Sequence, residues 1–364
     1  MKIIEIIPAL SSGGGERFVV DLCNELSLKH DVTLLTLYKL EQGHAFYLPQ
    51  VSERVRIVSF NKRHGADLSI FWDLFQFVKK EKPDIIHTHL RAIVYAIIPE
   101  LFTVHGIHTI HSDAEKEASD KLSKWVRRIL FKTGRVTPVT ISQASHNSFV
   151  KFYGMDAVKI ENGRDIPANL STSDEVKAEI ARYKQNEQTR VLVQLAHLDD
   201  VKRQDFMARV ANLLYKEGYN FSILFIGRWD SEAFKQKVEE VMPPCCHILG
   251  QRQNPLEYLK EAGALGLCSS YEGLPISLIE ALGVGAIPIC TPVGGIVNVI
   301  KDGENGLLSK NISEGAYYQT LKRYLDMTED QITEMRTKTR QSYAPYSMKE
   351  CAKKYVKVFK SIMI

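Results

Sequence analysis

Short apolar runs rich in β-branched residues, separated by helix-length segments, recur along the whole chain and most strongly limit its fold. Runs of about four to eight such residues are typical of buried strands, and strands that alternate with helices pair in parallel. In the first part of the chain the runs are KIIEII (2–7), DVTLLTL (31–37), VRIVSF (55–60), DIIHTH (84–89), GIHTI (106–110) and VTPVTI (136–141). We therefore predict an α/β fold built on a parallel sheet.

The pattern stops at a polar segment rich in Gly, Pro, Asn and Ser, residues 161–173, and then restarts. A chain of 364 residues is also long enough for two domains, since one domain takes roughly 100–200 residues. We predict a first domain over residues 1–165 and a second over residues 166–345. The runs of the second domain are RVLVQLA (190–196), FSILFIG (221–227), CHILG (246–250), ALGLCSS (264–270) and AIPICT (286–291).

The last segment, residues 346–364, predicts an amphipathic helix. Apolar side chains recur near one face at helical spacing, and lysines occupy the other. Such a helix needs an apolar surface to cover, and we expect it to return to the first domain. The residues of the apolar face are Met348, Cys351, Tyr355, Val358 and Ile362.

Composition argues against several classes of protein. The 47 basic and 43 acidic side chains leave a net charge of +4, a small excess that does not indicate a nucleic-acid partner. Six cysteines show no CxxC spacing, which favours a reducing, cytoplasmic compartment. No run of about 18 apolar residues occurs, so the sequence predicts no membrane-spanning helix.

A glycine triplet, Gly13 to Gly15, lies between the first strand run and the next helical segment. Its backbone amides at a helix N-terminus suit a phosphate or another anion, or the glycines simply allow helix and strand to pack. A dinucleotide site is disfavoured because Phe18 stands where the GxGxxG fingerprint needs its third glycine.

Two glutamates flank a sharp bend in the stretch SSYEGLPISLIEALGVG, residues 269–285. Pro275 cannot lie inside a helix, so Glu272 belongs to the loop after a strand, where open α/β sheets bind ligands. Ser277 and Glu280 spell a capping box, which is the purely structural explanation of Glu280. Either glutamate is a candidate ligand-binding residue.

Residues 269–308, SSYEGLPISLIEALGVGAIPICTPVGGIVNVIKDGENGLL, resemble the E-x7-E region of retaining glycosyltransferases of family 4, which have the GT-B fold. The resemblance extends to GGGER (13–17), IENGRD (160–165) and LAHLDDVKRQD (195–205), which are similar to the family's glycine loop, interdomain linker and phosphate-binding loop. It implies two Rossmann-like domains with parallel sheets facing across a cleft. The first domain would take the acceptor and the second the nucleotide-sugar donor.

The resemblance also implies roles for the residues of the bend. Glu280 would accept hydrogen bonds from the ribose hydroxyls of the donor, and Glu272 would contact the transferred sugar. The backbone amides of Gly273 and Leu274 would face sugar or phosphate. Gly15, in the glycine loop of the first domain, is a further candidate donor-binding residue.

Lys202 stands where the family places a lysine against the donor diphosphate, and a cation there stabilises the leaving group. The chain departs from the family five residues earlier, where it has His197 in place of the usual arginine. His197 itself, Arg203 or Arg228 would then contact the phosphate, and the sequence does not decide among them.

Three histidines, His105, His108 and His111, cluster in HGIHTIHSDAE. A metal site is disfavoured because His108 and His111 point to opposite faces of a strand and no carboxylate or Cys pairs with them at a zinc spacing. By the resemblance, His111 aligns with a family histidine that reaches the sugar near the reacting atoms. The alternatives are that His111 caps the next helix or is hydrogen-bonded within the fold.

No Asp-x-Asp motif occurs, which fits transfer without a metal or other cofactor. The resemblance implies retention of anomeric configuration, with the donor phosphate taking the acceptor proton and no covalent nucleophile.

Residues 120–135, DKLSKWVRRILFKTGR, predict a basic amphipathic helix that either lies on anionic lipid or turns its apolar stripe to the core. The apolar positions are Leu122, Trp125, Val126, Ile129 and Leu130. The basic positions are Lys121, Lys124, Arg127, Arg128, Lys132 and Arg135.

The function that these features favour is retaining, metal-independent transfer of a sugar from a nucleotide-diphosphate sugar, most often UDP-linked in this family. The acceptor would be a saccharide or polyprenyl-linked saccharide of surface polysaccharide synthesis, at the cytoplasmic face of the membrane. The alternatives are a sugar-nucleotide epimerase of the same fold and a non-catalytic nucleotide-sugar-binding subunit.

Overall fold

The computed structural model describes residues 1–41, 43–63, 65, 67–118 and 120–363. The chain divides into two compact units. The first unit consists of Met1–Asp165 and Tyr346–Ile364, and the second of Ile166–Pro345.

The first unit is built on a seven-stranded parallel sheet with the order β3-β2-β1-β4-β5-β6-β7. The strands are β1 (Lys2–Ile7), β2 (Asp31–Thr36), β3 (Arg56–Ser59), β4 (Ile85–His89), β5 (Gly106–Ile110), β6 (Val136–Thr140) and β7 (Val158–Lys159). The helices are α1 (Gly14–Leu26), α2 (Ser69–Glu81), α3 (Ala92–Phe102), α4 (Ala114–Glu117), α5 (Lys121–Lys132), α6 (Gln143–Tyr153) and, from the end of the chain, α15 (Met348–Ile362).

The second unit repeats the design with six strands in the order β10-β9-β8-β11-β12-β13. They are β8 (Arg190–Leu195), β9 (Phe221–Ile226), β10 (Cys246–Gly250), β11 (Ala264–Leu267), β12 (Ile287–Cys290) and β13 (Leu307–Leu308). The helices are α7 (Asp174–Ala181), α8 (Gln204–Lys216), α9 (Glu232–Val241), α10 (Pro255–Ala262), α11 (Ile276–Val284), α12 (Ile296–Val299), α13 (Glu314–Leu325) and α14 (Glu329–Gln341).

These two sheets confirm the predicted fold class. Every strand run predicted from the sequence is a strand, and all the pairings between these strands are parallel. Among the strands of the described residues, the sequence did not predict β7 and β13, which are two residues long and therefore too short to show a periodicity.

The terminal helix α15 returns to the first unit and packs against α1, as the sequence predicts. Tyr355 and Phe359 are fully buried, whereas the predicted face residues Val358 and Ile362 are only half-buried. The face is therefore rotated toward Phe359, which the sequence reading omitted. Gly163 makes the approach possible, because a Cβ at this position would lie 2.5 Å from the Cβ of Cys351.

Candidate active site

In the second unit the strand order reverses between β8 and β11, which are neighbours in the sheet. The loops that follow these two strands therefore leave the carboxyl edge of the sheet side by side. Open α/β sheets bind their ligands in the crevice at such a switch point. The loop after β8 carries Lys202, and the loop after β11 carries Glu272.

Lys202 and Glu272 form an ion pair at this point. The Lys202 Nζ donates to both carboxylate oxygens of Glu272, at 2.7 and 2.8 Å, and Ser269 Oγ donates to Oε1 at 2.7 Å. The Glu272 side chain is 6% exposed and that of Lys202 is 25% exposed. The carboxylate is thus held inside the protein while its cation remains reachable from solvent.

The loop that carries Lys202 is fixed by its own hydrogen bonds. Asp199 Oδ1 accepts from the backbone N–H of Lys202 at 2.8 Å, and Gln194 Nε2 donates to the carbonyl of Lys202 at 2.8 Å. Arg203 follows with φ of 57°, a left-handed conformation that turns the chain into α8. These contacts hold the Lys202 backbone on both sides, which limits the entropy that the loop must lose to bind a ligand.

The segment after β12 packs closely against the loop that carries Glu272. Gly294 has φ of +57°, and a Cβ there would lie 1.8 Å from the carbonyl oxygen of Glu272. The N–H of Gly295 donates to the carbonyl of Gly273 at 2.6 Å. Only glycine fits at position 294, because both the backbone conformation and the space exclude a side chain.

The predicted capping box at the start of α11 is wrong. The helix begins at Ile276, and Pro275 is its N-cap residue, without a side-chain cap. The Pro275 carbonyl accepts from the N–H groups of Leu278 and Ile279, so the helix starts earlier than a Ser277 cap would allow. Glu280 therefore lies in the second turn, where it is 5% exposed. Helix capping therefore does not explain the presence of a glutamate at position 280.

The three candidate substitutes for the family arginine differ in their contacts. Arg203 donates to the carbonyl of Ile312 at 3.0 Å, and its guanidinium lies 3.8 Å from the ring centroid of Phe206. Arg228 lies after β9 with Nη1 3.5 Å from Asp230, and His197 Nε2 lies 3.3 Å from the same carboxylate. Burial lowers the pKa of His197 more than Asp230 raises it, so the imidazole is neutral near pH 7.

In the first unit His111 follows β5 and faces the glycine loop. A Cβ on Gly15 would lie 3.6 Å from His111 Cγ. The His111 Nε2 lies 3.0 Å from Nδ1 of His89, and the Nε2 of His89 lies 2.8 Å from Oε2 of Glu5. The structure therefore brings together Gly15 and His111, which the sequence picked out, and joins them to two buried residues that it did not.

The backbone of His111 is held by Glu117. One Glu117 oxygen accepts from the N–H of His111 at 2.8 Å, and the other accepts from Arg127 at 3.2 Å. Burial would raise the pKa of Glu117, but Arg127 and His108 outweigh it and bring the pKa to about 2. Burial lowers the pKa of His111 to about 4. The structure thus presents a neutral imidazole beside an ionised carboxylate.

Two family descriptions match consecutive parts of the chain. Residues 12–166 match "Glycosyltransferase Family 4", and residues 175–342 match "Glycosyl transferases group 1". The chain belongs to the family 4 glycosyltransferases. The first match contains Gly15 and His111, and the second contains Lys202, Glu272 and Glu280, so both sets of candidate residues lie in family domains.

This glycosyltransferase is similar to two named bacterial enzymes. It is 28% identical to an alpha-1,4-N-acetyl-D-galactosaminyltransferase of Campylobacter jejuni, named for a PP-undecaprenol-linked acceptor, over 85% of this chain and 84% of the relative. It is 23% identical to the UDP-Gal:alpha-D-GlcNAc-diphosphoundecaprenol alpha-1,3-galactosyltransferase of Escherichia coli, over 84% and 80% of the two chains.

Solved structures share the fold of this glycosyltransferase. Anabaena HepE, in complex with UDP-glucose, has a TM-score of 0.81 at 16% identity. The match covers 99% of this chain and 100% of the HepE chain. A glycosyltransferase of Rickettsia africae has a TM-score of 0.78 at 18% identity, over 100% and 98% of the two chains. These matches confirm the GT-B fold.

Two contacts add to what the sequence predicts for the first-domain histidines. Asp113, not His111, is the N-cap of α4, which removes helix capping as the alternative role of His111. A carboxylate does accompany the histidines, because Glu117 lies 3.6 Å from His108 Nε2. It comes from a helix rather than from the strand, so a spacing rule for strands could not find it.

A different group has the composition of a metal site. Glu5, His87 and His89 offer ligand atoms that lie within 4.8 Å of one another. The sequence reading missed this group because its members come from β1 and β4, far apart in the chain. The signal was a single glutamate within the apolar run KIIEII, since an unpaired charge is rarely buried.

The predicted faces of α5 are partly wrong. Arg127, assigned to the basic face, is fully buried, whereas Leu122 and Trp125, assigned to the apolar stripe, are 52% and 59% exposed. Arg127 turns inward because Glu117 and the carbonyl of Leu90 accept its hydrogen bonds. Among the residues that the structure describes, no helix is long and apolar enough to span a membrane.

Proposed function

We propose that this glycosyltransferase moves a sugar from a nucleotide-diphosphate sugar, UDP-linked, to a saccharide or polyprenyl-linked saccharide in surface polysaccharide synthesis. The single observation that carries the proposal is the Lys202–Glu272 pair at the switch point of the second sheet. The names of the two relatives, each with an undecaprenol-linked acceptor, support the acceptor class. The HepE complex with UDP-glucose supports the donor class.

Lys202 provides the charge that the reaction needs. Cleavage of the bond between sugar and phosphate leaves negative charge on the departing diphosphate, and a preorganised cation stabilises that charge where water is excluded. Lys202 is already held by Glu272 and by its backbone contacts, so little reorganisation accompanies the reaction. Glu272, whose carboxylate is oriented by Ser269, contacts the hydroxyl groups of the transferred sugar.

The remaining donor contacts are those that the family resemblance implies. Glu280, in the second turn of α11, accepts from the ribose hydroxyls, a role for an acceptor-only carboxylate. The backbone at Gly273 and Leu274 faces the sugar or phosphate. Arg228 takes the place of the family arginine, because Arg203 already donates to Ile312 while His197 is neutral.

The transfer is metal-independent and retains the anomeric configuration. Lys202 and Arg228 supply cationic charge for the diphosphate, and the sequence lacks the Asp-x-Asp motif that holds a divalent ion in the other glycosyltransferase architecture. We infer from the family resemblance that the first unit binds the acceptor and that His111 contacts the transferred sugar. The donor phosphate takes the proton of the attacking hydroxyl.

Release of sugar from a panel of UDP-, GDP- and ADP-sugars, without acceptor, tests the proposal. We expect slow hydrolysis of a UDP-sugar that EDTA leaves unchanged and that Lys202→Met reduces. Interconversion of the sugar nucleotide would indicate an epimerase, and binding without turnover would indicate a binding subunit. Either outcome would contradict the proposal. Loss of hydrolysis in EDTA would contradict metal independence.

The exposed face of α5 makes a peripheral contact with the cytoplasmic face of the membrane. Leu122 and Trp125 are exposed between Lys121, Lys124 and Arg128. An apolar pair surrounded by cations matches an anionic lipid surface, where the rings enter the interface and the cations meet the headgroups. Such a contact would bring the first unit to a lipid-linked acceptor.

Vesicle flotation tests the membrane contact. We expect binding to vesicles that contain anionic lipid and weak binding to zwitterionic vesicles. Leu122→Ser with Trp125→Ser should abolish it. Leu213→Ser is the matched control, because Leu213 is 48% exposed but lies in the second unit. Equal binding of the double variant and the wild type would refute the assignment.

A further inference from the structure

A chain of hydrogen-bonded side chains runs from the middle of β1 to His111. Glu5 and His89 are fully buried, and His111 is partly exposed at the end of the chain. The distances are 2.8 Å from Glu5 Oε2 to His89 Nε2 and 3.0 Å from His89 Nδ1 to His111 Nε2. Each ring nitrogen in the interior of this chain therefore has one partner, and only Nδ1 of His111 is left outside it.

The charge state of Glu5 decides the direction of every hydrogen bond in this chain. Burial raises the pKa of Glu5, and the hydrogen bond with His89 opposes that rise. When Glu5 is ionised it only accepts, so Nε2 of His89 donates to Glu5. A neutral His89 then has a lone pair on Nδ1, which accepts from Nε2–H of His111. A neutral His111 that is protonated on Nε2 has its lone pair on Nδ1.

We propose that Glu5, acting through His89, holds His111 in the Nε2-protonated tautomer, so that His111 Nδ1 accepts a hydrogen bond from a hydroxyl group of the bound sugar. The inference rests on the proposed contact between His111 and the sugar. Glu5 and His89 are positioning residues in this arrangement. A partner that hydrogen-bonds one ring nitrogen of a functional histidine commonly fixes the tautomer and the orientation of the ring.

A second group of buried side chains lies beside Glu5. Nδ1 of His87 lies 2.9 Å from Glu5 Oε2, and its Nε2 lies 2.8 Å from Thr109 Oγ1. Tyr355 Oη lies 2.8 Å from the same Thr109 oxygen. The short distance between His87 Nδ1 and Glu5 lacks hydrogen-bond geometry, so Glu5 does not fix the directions of the hydrogen bonds that join His87, Thr109 and Tyr355.

The lone pair on His111 Nδ1 faces the glycine loop. A Cβ on Gly15 would lie 3.7 Å from Nδ1, so the absence of a side chain leaves this edge of the ring uncovered. Phe18 packs edge-on against the same ring, with centroids 5.6 Å apart, and limits its rotation. A hydroxyl group that approaches past Gly15 therefore meets an acceptor in a fixed orientation.

Nitrogen-15 spectra of histidine-labelled full-length protein test the proposal, because they separate protonated from unprotonated ring nitrogens. A His111→Asn variant assigns the signals. At neutral pH we expect wild-type His111 with Nε2 protonated and Nδ1 unprotonated. A His111 that carries its proton on Nδ1, or on both nitrogens, would overturn the proposal without any further variant.

Two matched variants test the role of the chain. His89→Phe removes the link to His111, and we expect the His111 signals to become those of mixed tautomers. His87→Phe is the control, because His87 is equally buried, packs on Tyr355 and Phe359, and touches Glu5 but not His111. An unchanged His111 spectrum in His89→Phe, or mixed tautomers in His87→Phe, would refute the role of the chain.

The nitrogen-15 spectra test the tautomer of His111, and the donor assay tests the proposed function, so either proposal can be refuted without the other. If no nucleotide sugar is hydrolysed while His111 remains protonated on Nε2, the proposed function is wrong and the tautomer assignment stands. If hydrolysis occurs and His111 is protonated on Nδ1, the inference alone is wrong. With donor bound, the wild-type Nδ1 signal should shift in the direction of a hydrogen-bonded nitrogen, and an unshifted signal would refute the sugar contact.

Discussion

Replacing Lys202 with Met measures how strongly the ion pair at the switch point depends on its cation. Removal of one partner of a buried pair costs about 3–5 kcal/mol, because the other charge is left uncompensated. Water reaches a quarter of the Lys202 side chain, which places the expected loss for the second unit at about 2–3 kcal/mol. Loss of one group that stabilises the leaving diphosphate should also lower kcat by about 10²- to 10³-fold.

Tryptophan fluorescence during urea denaturation can follow the second unit alone. Trp229 is the only tryptophan between residues 166 and 345, whereas Trp72 and Trp125 belong to the first unit. In a Trp72→Phe/Trp125→Phe background, Trp229 therefore reports the unfolding of the second unit. Lys237→Met is the control, because this half-exposed lysine also binds a carboxylate of the second unit, and its loss should cost less than about 1 kcal/mol.

A double-mutant cycle decides whether the loss comes from the pair. Glu272→Gln removes the charge that Lys202→Met leaves uncompensated, so the double variant should be more stable than the sum of the single changes predicts by at least about 1 kcal/mol. Additivity within about 0.5 kcal/mol would refute the reasoning, as would equal effects of Lys202→Met and Lys237→Met.

Further predictions concern both units. Glu280→Gln should weaken donor binding about 10- to 100-fold in calorimetry, because a charge-assisted hydrogen bond contributes about 1.5–3 kcal/mol; unchanged affinity in the folded variant would contradict the ribose contact. Gly294→Ala should reduce activity far more than Gly303→Ala, since both have positive φ but a Cβ meets the protein backbone only at Gly294; equal losses would contradict the steric argument. Phe359→Ala should lower the stability of the first unit by about 3–5 kcal/mol in urea denaturation, and a loss below 1 kcal/mol, roughly that of a surface change, would contradict burial of α15. The stability of the first unit should fall as pH decreases from about 6.5 to about 4. Burial lowers the pKa of His108 to about 4, so the unfolded chain binds the proton at a higher pH than the folded chain does. An equally steep fall in His108→Gln would contradict this assignment.

Local sequence was sufficient to predict the strands, and it picked out both members of the ion pair in the second-unit loops. Strand runs such as KIIEII (2–7) and CHILG (246–250) have the bounds that the sequence predicts. Lys202 and Glu272 were chosen from separate motifs and form one ion pair in the structure. Helix starts were less predictable, since the polar pattern at Ser277 suited a cap but Pro275 already occupied that position.

The sequence by itself determined the two α/β units, the family and the loop residues, because strand periodicity and short motifs are local properties of the chain. Only the tertiary structure decided the partners of His111 and the inward turn of Arg127. Glu5 is 84 residues from His89 in the chain, and these contacts exist because parallel strands β1 and β4 are neighbours in the sheet. A buried charge needs a partner wherever the fold provides one, and sequence spacing does not encode that distance.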